Sequence, residues 1–241
     1  MYREISPPPE LAPFVECFWI SDVQADGCQR ILPDGCVDIL FFSRGSEVVD
    51  AQVVGAMTRF QDARLSADET ILGVRFHPGM AGAGLPCDIS LFNDRAVPLE
   101  AVLGRLARTL LRDLGRRSSI EARLETLGER IVVRPKINEV QQAIGQLVRQ
   151  RGRLPIAEFA DVAGLSDRQL RRCCCRHSGL SPKQLARILR FRHAGNLLRR
   201  GMQNLAGLAL DCGYYDQAHM ILDFRHLAGI SPARYRRQFA R

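Results

Sequence analysis

The chain has 241 residues, 46% hydrophobic and 25% charged, which suits two ordinary globular domains with real cores. No apolar run approaches the roughly 18–20 residues that span a bilayer. Met1–Leu11 lacks the basic-then-apolar layout of a secretory signal, so a cytoplasmic protein without a membrane partner is expected. The formal charge of +8 is split: residues 1–134 carry 15 Arg against 19 acids (−4), and residues 135–241 carry 17 Arg and 2 Lys against 7 acids (+12). A polyanion partner is expected for the second half only.

Residues 13–77 read as strands. Phe14–Ile20, Cys28–Leu32, Cys36–Phe42, Val48–Val54 and Thr70–Phe76 are short apolar or alternating runs, separated by Asp26-Gly27, Pro33-Asp34-Gly35, Arg44-Gly45-Ser46 and Gly55. That spacing predicts a small cupin-like β-barrel or sandwich with flanking helices, as a β-rich domain over residues 1–97. Gly79–Gly84 reads as a loop or brief helix.

From Pro98 the period changes. Leu99, Val102, Leu103, Leu106, Leu110 and Leu114 recur as on one helix face, and Ile120, Leu124, Leu127 and Ile131 form a second stripe after Ser118-Ser119. This helical pair, residues 98–134, fits two uses: covering its own domain's core, or pairing two copies in a homodimer. Arg134-Pro135 marks a boundary, because the residue before proline leaves the helical region. A third stripe, Ile137, Val140, Ile144, Leu147 and Val148, opens an all-α domain over residues 135–241. The whole chain is thus expected to be α+β in two domains.

The last 90 residues contain a repeat. Ile156-Ala157-Glu158-Phe159-Ala160-Asp161-Val162-Ala163-Gly164-Leu165-Ser166-Asp167 matches Leu205-Ala206-Gly207-Leu208-Ala209-Leu210-Asp211-Cys212-Gly213-Tyr214-Tyr215-Asp216. Each block leads into a helical stretch and exits through Gly179-Leu180-Ser181-Pro182 or Gly229-Ile230-Ser231-Pro232. A short alanine-containing helix permits close crossing, glycine supplies a left-handed turn, and Ser or Asp caps the next helix. That is a helix-turn-helix, present twice in the basic half.

These residues resemble the C-terminal domain of the AraC/XylS family of transcription regulators, over about Lys136 to Phe239. The telling stretches are Ala157-x-x-Ala160-x-x-Ala163-Gly164-Leu165-Ser166, Asp211-x-Gly213-Tyr214-x-Asp216-Gln217-Ala218-His219, and Gly229-Ile230-Ser231-Pro232-Ala233-Arg234-Tyr235-Arg236. The resemblance implies double-stranded DNA as partner and a linker helix from about Pro182 to Arg200, ended by Gly201. It also implies a first recognition helix from Asp167 to about His177, with Leu170 and Cys174 buried. Arg168, Gln169, Arg171 and Arg172 then face bases, and Arg176 and Lys183 face phosphate. The arginine fork can bond guanine O6 and N7 together.

In the second recognition helix, expected from Asp216 to about Leu227, Met220, Phe224 and Leu227 form the buried stripe. Gln217 and Ile221 are the candidate base contacts, and Arg225, Arg234, Arg236 and Arg237 the candidate phosphate contacts. The sequence departs from the family here, with Leu222 in place of arginine, Asp223 after it, and Tyr215 in place of a capping serine. The first unit is therefore expected to dominate sequence reading, and His219 to be a core or capping residue.

Family members often carry an N-terminal effector or dimerisation domain, so a small-molecule effector is expected, with RNA polymerase as a candidate second macromolecular partner and an activator's or a repressor's role both open. Leu32–Phe41 and Gly73–Gly79 look similar to segments of a subgroup of such regulators. Cys36, Asp38 and Leu40 share one strand face, as do Arg75 and His77. If those faces meet inside a barrel, Asp38 and Arg75 form a buried pair or bind a polar ligand, and Trp19, Cys36, Asp38, Arg75 and His77 are the candidate effector pocket. The bland reading is a structural ion pair or plain surface charge.

No CxxC pair occurs among the eight cysteines, and neither a metal site nor a cofactor is expected. Adjacent helical residues Cys173, Cys174 and Cys175 point about 100° apart and do not share one metal. Cys175, beside arginine, is the candidate for redox or electrophile sensing, the alternative functional reading. An enzymatic reading, alkyl transfer from a zinc-held thiol, is not favoured. Cys17, Cys28, Cys36 and Cys87 are spaced 11, 8 and 51 apart, unlike a compact zinc site. A third reading is a scaffold whose DNA-binding module has lost its target.

Overall fold

The computed structural model describes residues 2–45, 47–131 and 137–239. The first part is a β-rich domain and the last part is entirely helical, as expected. Strands β1 (Tyr2–Ile5), β2 (Val15–Asp22), β4 (Val37–Arg44), β5 (Glu47–Val54), β7 (Glu69–Phe76) and β8 (Ala96–Pro98) make an antiparallel six-stranded sheet in the order β1-β2-β7-β4-β5-β8. β3 (Gly27–Ile31) and β6 (Gln61–Leu65) pair as a separate two-stranded sheet. β1, β6 and β8 have no counterpart in the sequence reading. Each is short and carries polar or exposed residues, so no apolar run announces it.

Alternation assigns the faces. Phe18, Val74 and Ile39 stand in register across β2, β7 and β4, as do Ile20, Leu72 and Phe41, and all six are buried. The intervening positions Trp19, Gly73 and Leu40, and Cys17, Arg75 and Asp38, occupy the other face. Gly79–Gly84 holds a 3-10 turn at Ala81–Ala83, and a second spans Ile89–Phe92.

The apolar stripe from Leu99 is two helices. α1 (Leu99–Leu103) breaks at Gly104, whose φ of 54° lies in the left-handed half of the map, and α2 (Arg105–Gly115) restarts. Ala107, Leu110 and Leu114 take α2's buried face, and Leu106, expected in the buried stripe, is 69% exposed. α3 (Ile120–Arg130) starts at its N-cap Ser119. The Arg134-Pro135 boundary and Lys136 lie outside the described residues.

The helical domain comprises α4 (Glu139–Arg149), α5 (Ile156–Ala163), α6 (Asp167–Ser178), α7 (Pro182–Arg199), α8 (Leu205–Asp211), α9 (Gln217–Ala228) and α10 (Pro232–Phe239). α7 is the linker helix. Ser181 caps it reciprocally with Gln184, Pro182 sits in its first turn, and Gly201 follows its end with φ 93°. Its 18 residues rise about 27 Å. Among the described residues no helix is long and apolar enough to cross a membrane.

Candidate nucleic-acid interface and domain junction

The two helix-turn-helix units are built alike. α5 ends on Gly164 (φ 63°), and Ser166 opens α6 with its N–H and hydroxyl both donating to Gln169 Oε1, at 3.1 and 2.8 Å. In the second unit Gly213 (φ 78°) makes the turn after α8, and the Asp216 carboxylate accepts from the His219 N–H at 2.7 Å to start α9. The exits Gly179 and Gly229 also have positive φ, 78° and 72°. Asp216 thus supplies the cap that Tyr215, 87% exposed, does not.

α6 buries Leu170 and Cys174, and that choice of face leaves Arg168, Arg171, Arg172 and Arg176 exposed. Gln169 is exposed as well, but its amide oxygen is engaged by the cap. On α9, Gln217 and Arg225 are exposed and Ile221 is half-buried. Lys183, Arg234 and Arg237 are exposed, and Arg236 is half-buried with Nη1 3.4 Å from the Met202 carbonyl.

Asp223 does not face outward. It is 2% exposed and accepts from Arg187 Nε of the linker helix at 2.5 Å. Its burial removes the clash with phosphate that an outward carboxylate would create. The exposed apolar residue beside it is Leu222, at 62%. His219 packs edge-on against Tyr214, with ring centroids 5.4 Å apart.

The N-terminal candidates fall into two neighbouring groups. Asp38 and Arg75 are register partners on adjacent strands, side by side on one face of one sheet rather than across a barrel. Asp38 Oδ1 accepts from Trp19 Nε1 at 2.8 Å and from Arg75 Nε at 3.3 Å, and Asp34 lies 3.6 Å from that Nε. The Trp19 ring covers Gly73, where a Cβ would overlap it. Burial pushes the Asp38 carboxyl up to about 6, against the pull of Arg75 and with the push of Asp34.

Cys36, just ahead of β4, is buried and donates its thiol to Glu16 Oε2 at 3.3 Å, while Glu16 Oε1 accepts from Arg192 of α7 at 2.5 Å. Burial works against the Glu16 charge, but Arg192 outweighs it and holds that carboxyl below its usual range. His77 stands apart from both groups, its Nε2 3.3 Å from the Ala12 carbonyl.

Cys175 departs from expectation. It is half-buried, and burial raises its thiol above the ordinary value despite the opposing charge of Arg171. At this thiol burial outweighs the neighbouring arginine charge. Cys174 is fully buried and pushed up to about 12. Among the described residues no group of three or more His, Cys, Asp or Glu could hold a metal.

The junction between the domains is a feature the sequence reading missed. Asn93 donates to the Gly179 carbonyl at the end of α6. Gln141 of α4 donates to the Gly79 carbonyl at 3.2 Å, and a Cβ on Gly79 would come within 2.8 Å of Ile144. Gly35 abuts Leu185 of the linker helix. Arg30 stacks on Phe60, 4.1 Å from the ring centroid, and donates to the Ala228 carbonyl at the end of α9, where Phe60 abuts Gly229. One sequence signal existed: the glycines at 35 and 79 sit beside strands and leave room for a neighbour.

Comparison with known proteins agrees with this division. Residues 3–98 match the family described as a domain of unknown function (DUF6597), and residues 159–238 match the family described as a helix-turn-helix domain. An uncharacterized HTH-type transcriptional regulator of Haemophilus influenzae is 30% identical over 34% of this chain and 28% of its own length. The HTH-type transcriptional activator RhaR of Yersinia pseudotuberculosis is 28% identical over 44% of this chain and 34% of its own length. RhaS of Escherichia fergusonii is 36% identical over 32% and 28%. The chain therefore spans about a third of the curated relatives it matches. Among solved structures, the DNA-binding domain of AdpA in complex with a target DNA aligns with 43% of this chain and 94% of that one, at 22% identity and a TM-score of 0.41. ToxT from Vibrio cholerae aligns with 91% of this chain and 96% of that one, at 10% identity and a TM-score of 0.46.

Proposed function

Starting from a C-terminal domain that belongs to the AraC/XylS family, we propose that this protein is a sequence-specific DNA-binding transcription regulator that reads the major groove mainly with α6. The observation that carries the reading is the division of α6: Leu170 and Cys174 anchor it inward, so Arg168, Arg171 and Arg172 stand in solvent on a helix set by a left-handed glycine turn. Arg171 and Arg172 read base edges, with Arg168 towards the groove, while Gln169 divides its amide between the cap and DNA. Arg176 and Lys183 hold phosphate.

The second unit docks chiefly through Arg225, Arg234, Arg236 and Arg237, with Gln217 as its polar base reader and Ile221 and Leu222 offering apolar contact to a thymine methyl. The linker helix, about 27 Å long, approaches the roughly 34 Å between successive major grooves on one side of the duplex. The N-terminal domain (residues 1–97) is proposed as the effector or dimerisation domain, with the helical pair of residues 98–134 beside it. An activator's role is supported by likeness to proteins named as the transcriptional activators RhaR and RhaS, and a cytoplasmic homodimer that contacts RNA polymerase is part of the same proposal. No enzymatic step is proposed.

The test is genomic footprinting to find a cognate duplex, then fluorescence anisotropy on that duplex and on random DNA. Arg172→Ala is expected to cost about 1–3 kcal/mol on the cognate duplex and to blunt its selectivity. Affinity should fall steeply with salt through counterion release. An equal loss on both duplexes refutes base reading by Arg172, and the absence of any duplex binding refutes the function.

A further inference from the structure

The two recognition helices correspond residue for residue. α6 (Asp167–Ser178) and α9 (Gln217–Ala228) are each 12 residues long, at an offset of 50 in the chain. Leu170, Cys174 and Ser178 are buried on the first, and Met220, Phe224 and Ala228 at the same places on the second. The caps Ser166 and Asp216 match, as do the closing glycines Gly179 and Gly229. This register fixes which outward positions are equivalent. The exposed Arg168, Arg171 and Arg172 have as counterparts Ala218, Ile221 and Leu222. Each cationic position on the first face is apolar on the second. Asp223, buried against Arg187, holds α9 in a rotation that leaves Leu222 62% exposed.

The same register locates an insertion. Leu165 alone separates Gly164 from the cap Ser166, whereas Tyr214 and Tyr215 separate Gly213 from the cap Asp216. The N–H groups of Leu165 and Tyr214 each donate to a carbonyl five residues back, Ala160 at 3.1 Å and Ala209 at 2.9 Å. Those two residues are therefore equivalent, and Tyr215 is the added one. Tyr214 is buried, but Tyr215 is 87% exposed just ahead of α9. The N-terminal end of a recognition helix is the end that meets base edges.

An apolar face has one natural partner on the major-groove edge, the thymine 5-methyl group, and no donor for guanine O6 and N7. Guanine beneath it would lose water from those acceptors without a replacement bond. We propose that α9 selects thymine through its 5-methyl group, with Leu222 and Ile221 packed on methyls and the Tyr215 hydroxyl donating to a phosphate at the groove edge. The DNA site is then chemically unequal, with a guanine-bearing half under α6 and a methyl-dependent half under α9, and the chain lies on it in one orientation. The inference rests on the DNA-binding reading and deepens it, because it names the group that the second unit recognises.

The test uses the full chain and the footprinted duplex, read by fluorescence anisotropy. Deoxyuridine replaces thymidine in one half-site at a time, which removes the 5-methyl group alone. Uracil in one half is expected to weaken binding about fourfold per contacted methyl, and in the other half to leave it unchanged. 5-Bromouracil, whose bromine has about the size of a methyl group, should restore the affinity. The uracil penalty should vanish in Leu222→Ala, a substitution at an exposed position, and persist in Arg172→Ala. Tyr215→Phe should weaken thymine and uracil duplexes alike, by about fivefold. No penalty in either half, an equal penalty in both, one that 5-bromouracil does not lift, or one that survives Leu222→Ala or is lost equally in Arg172→Ala overturns methyl reading and leaves the DNA-binding reading standing. Unchanged affinity in Tyr215→Phe overturns the phosphate contact. Absence of all duplex binding overturns both readings together.

Discussion

At residue 223 an acid sits inside a basic, DNA-facing domain, and its burial against Arg187 decides its role. Asp223 is almost fully covered, while Arg187 keeps a third of its side chain in water. Removing the two partners therefore has unequal cost. Arg187→Ala strands a carboxylate in the interior and is expected to destabilise by about 3 kcal/mol, whereas Asp223→Asn releases an arginine that can turn to solvent and should cost less. Denaturant melts of both single variants and the double variant measure this. Full additivity in the cycle would show that the pair is not coupled, and equal single costs would refute the asymmetry.

Asp38 carries a second prediction at the same scale. Its carboxyl is pushed up to about 6. The folded state therefore binds more protons there than the unfolded chain. The stability that Asp38 contributes is fully present below its unfolded value near 4 and is lost as pH rises through about 6. The chain's single tryptophan reports this directly, because Trp19 Nε1 donates to that carboxyl. Tryptophan emission is expected to titrate with a midpoint near 6, and Asp38→Asn to abolish the titration.

At the scale of elements, the turns divide into two kinds. Gly164 has φ 63° and open space where a Cβ would stand, so Gly164→Ala meets backbone strain alone, about 1 kcal/mol. Gly152 has φ 75° and its Cβ would overlap the Ala186 carbonyl of the linker helix, so Gly152→Ala adds a steric clash to the strain and should cost at least twice as much. Thermal melts of the two variants make the comparison. The first helix-turn-helix was readable because its parts are local: alanines, a turn glycine, a reciprocal Ser166–Gln169 cap. The break between α1 and α2 was not read, since Gly104 falls inside an apolar period that continues on both sides.

At the scale of the molecule, the β-rich domain touches both helix-turn-helix units and the helix between them. It does so at Gly179, at Gly229 and along α7 through Leu185 and Arg192. The buried apolar residues of the two domains form one continuous cluster. Unfolding is therefore expected as a single cooperative transition, with calorimetric and van't Hoff enthalpies in agreement. Two resolved transitions in scanning calorimetry would mean that the domains fold independently and the junction is weak. The same contacts tie the N-terminal domain to the ends of α6 and α9.

Likeness to a known family supplied the linker helix and the arginine face of α6, and sequence alone determined the helix-turn-helix repeat, its turn glycines and the alternation of the main strands. The repeat's turns and caps and the strand alternation depend on residues within a few positions of one another. Tertiary structure decided that Asp223 points inward to Arg187, that Glu16 meets Arg192 and that Asn93 reaches Gly179. Those partners lie tens to more than a hundred residues apart, and no local period or cap encodes which surfaces meet once burial of the common core brings them together.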